Sequence, residues 1–155
     1  MSQNPKTITI TDDGVTLPIT SILTGRGFIT GKSGSGKSNT ASVVIEELLN
    51  NRCPLLIIDT DGEYRGLKEK FKELIHMGQS DESDVELTLD RIDRITDYAL
   101  IQGVPIILDV STFKADQQKS IINEVVTLLF NKEKEHRKQF LIIISLILYI
   151  YNYYI

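Results

Sequence analysis

The segment Gly31-Lys32-Ser33-Gly34-Ser35-Gly36-Lys37-Ser38 constrains this chain more than any other, because it fits G-x-x-x-x-G-K-[ST] at every specified position. Glycines there let the backbone take positive φ and come close to a ligand. Successive N–H groups then face inward as a nest for an anion. The helix expected to begin near Lys37 adds the partial positive charge of its N-terminus. In such a loop Lys37 reaches the β- and γ-phosphates of a nucleoside triphosphate, and the Ser38 hydroxyl takes one coordination site of Mg2+. Lys32, at a variable position, is expected to face solvent. The expected nucleotide-binding set is Gly31, Lys32, Ser33, Gly34, Ser35, Gly36, Lys37, Ser38 and Asn39, with ATP and Mg2+ as ligands.

The flanking pattern supplies the context that the motif requires. Residues 26–30 read as a short strand running into the loop. Beyond it, Ala41, Val44, Ile45, Leu48 and Leu49 recur at the spacing of one helix face. Residues 55–58 form a continuous apolar run, the mark of a strand buried on both faces of a parallel sheet. Residues 90–102 carry Ile92, Ile95, Tyr98 and Ile101 at near-helical spacing, and Gly103 ends them. A second buried strand is expected over 104–110, a helix on Ile121, Val125, Leu128 and Leu129, and a further strand over 141–144. Ahead of the loop, 7–11 alternates as a strand, with a turn at Asp12-Asp13-Gly14 and a second extended piece over 15–17. Strands alternating with helices imply an α/β fold around a mostly parallel sheet. The expected organisation is an N-terminal β extension over 1–20, a nucleotide-binding domain over 21–144 and an apolar tail over 145–155.

Composition excludes little. A net charge of −4 argues against simple electrostatic wrapping of nucleic acid, though not against basic residues lining a pore. Cys53 is the only cysteine, so no internal disulfide can form; it reads as a small residue at a strand entrance. The first residues lack the apolar core of a signal peptide, which points to a reducing, cytoplasmic setting. His76 and His136 lie far apart with no metal-ligand spacing, so no metal beyond Mg2+ is expected.

Two smaller phosphate-loop families compete. Asp59-Thr60-Asp61-Gly62 fits the D-x-x-G of GTPases, and Asn131-Lys132-Glu133-Lys134 nearly fits N-K-x-D. Lys134, however, cannot accept hydrogen bonds from a guanine edge. A nucleotide kinase would need an arginine-rich lid, whereas Arg91, Arg94 and Arg137 are scattered on helical surfaces.

The stretch from Ile29 to Thr40 resembles the phosphate loop of the HerA branch of the FtsK–HerA superfamily, where T-G-S-G-K-S-N-T is a familiar form. Leu56-Ile57-Ile58-Asp59-Thr60-Asp61-Gly62-Glu63-Tyr64 is similar to that family's strand followed by D-P-x-G-E-Y, at matching spacing. Residues 104–110 with Ser111 resemble its third core strand. The resemblance implies a RecA-like core that assembles as a homo-hexameric ring and drives duplex DNA with ATP, in some relatives beside a recombination nuclease. Asp59, Glu63 and Asp109 are the acidic candidates at strand ends, where ligands bind in such folds. Glu63 is expected to orient water and Asp59 to stand behind the magnesium, with Lys37 of the loop as the other catalytic candidate. Loop capping is the alternative for Asp59 and Glu63, since Asp61-Gly62 suits a turn.

One expected feature is missing. The family's strand after the long helix ends in an acidic residue followed by a catalytic glutamate, which hold magnesium and activate water. Here residues 139–144 look like that strand, yet Ser145 and Leu146 follow, and no acidic residue occurs after Glu135. Of the 6 tyrosines, Tyr149, Tyr151, Tyr153 and Tyr154 crowd into the tail. Such a composition is what AT-rich codons give out of frame, so the expectation is a C-terminally incomplete domain with weak hydrolysis or none. A non-enzymatic ATP-binding module is the alternative. The apolar run is shorter than the roughly 20 residues of a membrane-spanning helix, so a membrane anchor is not expected.

Overall fold

The computed structural model describes residues 6–24, 29–136 and 141–145. Two strands, β1 (Thr7–Thr9) and β2 (Thr16–Pro18), form an antiparallel hairpin, followed by α1 (Ile19–Thr24). The rest of the chain alternates: α2 (Lys37–Asn50), β3 (Leu55–Asp59), α3 (Leu67–Lys70), β4 (Ile75–Gly78), β5 (Val85–Glu86), α4 (Ile92–Leu100), β6 (Ile106–Asp109), α5 (Ala115–His136) and β7 (Leu141–Ser145). The main sheet has 5 strands in the order β5-β4-β6-β3-β7, and each pairing is parallel. The expected α/β class with a parallel sheet flanked by helices is therefore present.

Burial follows the two-residue period of a strand. Leu56 and Ile58 of β3, with Leu108 of β6, face α4 and α5, where Ile92, Ile95, Ile121 and Val125 complete one core. Leu55, Ile57 and Ile107 point the other way, onto Ile45, Leu48 and Leu49 of α2. Ile8 of the hairpin is fully buried in that second core, so β1 is fastened to α2 by packing. Each such side chain contributes roughly 1.5–3 kcal/mol when fully buried. The helix α2 ends where Arg52 takes a positive φ of 55°, two residues before Pro54.

Some elements differ from expectation. Of the strand expected over 26–30, Ile29 and Thr30 carry no strand, and 26–28 fall outside the described residues, as does the tail from 146 onward. The helix expected over 90–102 narrows to α4, preceded by a short 3-10 turn at Leu89–Arg91. Tyr98 is 49% exposed, because a spacing of three drifts around a helix of 3.6 residues per turn and carries positions 98 and 101 off the buried face. Asn131 to Lys134 lie inside α5, and Lys132 is bound to Asp97 at 2.6 Å and Asp93 at 2.8 Å, which removes the GTPase-like base motif. Among the described residues no helix is long and apolar enough to cross a membrane.

Candidate functional site

In a strand–helix–strand unit the helix runs back against the sheet, so the N-terminus of α2 and the carboxyl ends of β3, β6 and β7 share one edge of the sheet. The glycine loop lies at that edge. Gly34 and Gly36 take φ of 75° and 85°, the left-handed region that side chains resist. Gly36 sits at the N-cap of α2 with no side chain capping the helix, so its first amides are presented to a ligand. A Cβ on Gly31 would collide with the Ser35 hydroxyl. The Ser35 N–H donates to the Lys32 carbonyl at 3.1 Å, closing the turn. Lys37 Nζ donates to the same carbonyl at 2.9 Å, so the ammonium is folded back onto the loop. Ser38 is half-buried beside it, while Lys32 and Asn39 are exposed.

Three strand ends stand in register along this edge: Asp109 beside Asp59, and Asp59 beside Ser145. Asp59 is fully buried and spends both oxygens on the following loop. Its Oδ1 accepts the amides of Asp61, Gly62 and Glu63 at 3.2, 2.8 and 3.2 Å, and its Oδ2 accepts that of Tyr64 at 2.9 Å. Buried Tyr64 anchors the far end of the loop, and Glu63 is exposed. Gly62 closes the turn with φ of 75°, and a Cβ there would press on the Ser111 hydroxyl at 3.2 Å.

Asp109 organises the neighbouring loop. Its Oδ1 accepts the Ser111 amide at 2.9 Å and the Ser111 hydroxyl at 2.6 Å, while Oδ2 meets His76 Nε2 at 3.1 Å and Arg65 Nη2 at 3.5 Å. Burial works to raise the Asp109 pKa, but hydrogen bonds from Ser111 and His76 outweigh it and hold the group below its ordinary value. Arg65 also pairs with Glu82 and reaches Ser80 at 3.4 Å. Sequence reasoning missed the joining of Arg65, His76 and Asp109. His76 sits in β4, which carries no apolar run, and 33 residues separate it from Asp109. Cys53 is buried, and burial pushes its thiol pKa up despite nearby Lys6, which suits a packing role.

The residues present fit a magnesium triphosphate. Among the described residues no cluster of three or more His, Cys, Asp or Glu could hold a metal by itself. Mg2+ needs no such cluster, because it keeps waters and binds through phosphates with one or two protein oxygens.

A parallel α/β sheet with a glycine loop feeding an uncapped helix N-terminus at its carboxyl edge is the architecture of the P-loop NTPases. Within that class the chain belongs to the family of the central domain of helicase HerA, whose model matches residues 8–147. No curated protein and no solved structure matches the chain.

Proposed function

We propose that this chain binds Mg-ATP through residues 31–38 and Asn39, as the nucleotide-binding part of a DNA-translocating ATPase. The observation that carries the reading is the glycine loop itself, with Gly34 and Gly36 left-handed and α2 uncapped. Lys37 leaves the Lys32 carbonyl for the β- and γ-phosphates, and the Ser38 hydroxyl takes magnesium. Asp59 acts on the reaction by fixing the loop that carries Glu63, whose exposed carboxylate is the candidate for orienting water. When bound, magnesium supplies charge neutralisation across the phosphates. Family membership supports a homo-hexameric ring, duplex DNA as the partner and an associated nuclease. Calorimetric titration of wild type and Lys37→Ala with Mg-ATP tests the site. Binding by wild type and its loss in the variant are expected, and equal affinity would overturn the assignment.

A second reading, nucleotide binding without turnover, is favoured by Ser145. That residue stands in register with Asp59, where the family's catalytic acidic pair is expected to begin. Hydrolysis measured with and without duplex DNA separates the two, since DNA-stimulated turnover by this chain alone excludes a purely binding role.

A further inference from the structure

Between the hairpin and the outer face of α2 lies a groove of about 560 Å3, within the range of small-molecule sites. Its walls are Ile10, Asp12 and Asp13 from the hairpin and Asn39, Val43 and Glu47 from α2. The helical residues recur every fourth position, so they form one face, turned away from the Ile45, Leu48 and Leu49 face that packs on the sheet. Asn39 directly follows Ser38, which places one end of the groove against the phosphate loop. From Asn39 to Glu47 the helix rises about 12 Å.

We infer that this groove seats the nucleoside, the ribose with its base, of the triphosphate held by residues 31–38; the inference rests on the function proposed above. The chemistry of the walls suits that occupant. Ile10 and Val43 are half-buried and offer apolar surface for the faces of a base. Asp12, Asp13 and Glu47 are acceptors for ribose hydroxyls and an exocyclic amino group, and they repel a second phosphate. The Asn39 amide both donates and accepts.

The hairpin side is held together by its own hydrogen bonds. The Ile10 amide donates to the Val15 carbonyl at 2.9 Å, and the Gly14 amide to the Thr11 carbonyl at 3.0 Å. The Thr11 hydroxyl accepts the Val15 amide at 3.1 Å. Ile8 fixes the strand to α2 from beneath. Asp12 and Asp13 are therefore presented on a hydrogen-bonded turn, which lowers the ordering cost of binding.

Titrating the whole chain with Mg-ATP and with magnesium tripolyphosphate, which has phosphates but no nucleoside, tests this. Val43→Trp fills the groove and should weaken ATP by about tenfold or more while tripolyphosphate binds as before. Unchanged ATP affinity overturns the inference. Should Val43→Trp lose both ligands, photolabelling of wild type with 8-azido-ATP decides. Label within residues 9–13 or 39–47 supports the groove, and label confined elsewhere overturns it. Lys37→Ala is expected to lose both ligands, and a wild type that binds neither overturns the nucleotide reading itself.

Discussion

His76 Nε2 lies 3.1 Å from Asp109 Oδ2, and both side chains are buried between β4 and β6. The same carboxylate holds Ser111 through its other oxygen and faces the Arg65 guanidinium. One residue thus joins the strand end, the loop that follows it and the loop after β3. A buried carboxylate tolerates ionisation only when so partnered.

Asp109→Ala is expected to cost about 1–3 kcal/mol, because it leaves the buried His76 Nε2 and the Ser111 hydroxyl without their partner, while half-exposed Arg65 keeps Glu82. Urea denaturation measures it. The pH dependence has a fixed sign. The folded pKa of Asp109 is held below the ordinary 3.8, so its contribution is present above that value and lost as pH falls through the lower folded value. Asp109→Asn should flatten the fall in stability below about pH 4. An unchanged acid limb in the variant would show that this carboxylate does not set it.

The phosphate loop gives a steric prediction. Gly31→Ala drives a Cβ into the Ser35 hydroxyl, while the loop around it is exposed and outside both cores. Affinity for Mg-ATP should fall at least about tenfold with the melting temperature little changed. Ser35→Ala added to Gly31→Ala should restore part of it, since the hydroxyl is gone and the Ser35 Cβ at 3.3 Å remains. A double variant as weak as the single would exclude this collision as the cause.

Much of the site was legible because its chemistry is local. The loop, α2 and the apolar strands β3 and β6 each declare themselves within a dozen residues or so, by glycine spacing, helical period or unbroken apolar runs. β4 did not, because Ile75-His76-Met77-Gly78 mixes a polar side chain into a strand buried in the sheet. β5 has 2 residues, too few for any period. In α1, Ile19 and Thr20 are β-branched and oppose a helix on propensity; the tertiary burial of Ile19 holds it in place. The four amides gathered by Asp59 follow from a loop conformation, which spacing alone does not encode.

Lys132 bridges α5 to α4, meeting Asp93, Asp97 and the Thr96 hydroxyl at 2.8, 2.6 and 2.8 Å. Burial works to lower its pKa, but the two carboxylates outweigh it and raise the pKa above the ordinary 10.5. A raised folded value means the contribution is present below about pH 10.5 and lost as pH climbs through the higher value. Lys132→Met, which keeps the apolar stem, should cost about 1–2 kcal/mol at neutral pH and reduce the alkaline loss. A double-mutant cycle with Asp97→Asn should show coupling. Additive costs would mean that the bridge contributes nothing beyond its separate parts.

The last prediction concerns the strand end at β7. Ser145 is the in-register neighbour of Asp59, at the strand end where the resemblance to HerA-type ATPases implies an acidic residue followed by a catalytic glutamate. If turnover is limited by that missing pair, Ser145→Asp combined with Leu146→Glu should raise ATP hydrolysis while leaving ATP affinity within a few fold. A positioned carboxylate base contributes typically about 100-fold or more, a gain visible in a phosphate-release assay. Glu63→Gln in that background separates the two carboxylates. If Glu63 orients the water, the gain disappears; if the new glutamate does, the gain survives. No gain from the double substitution, with Mg-ATP still bound, would show that turnover is limited by something other than this pair.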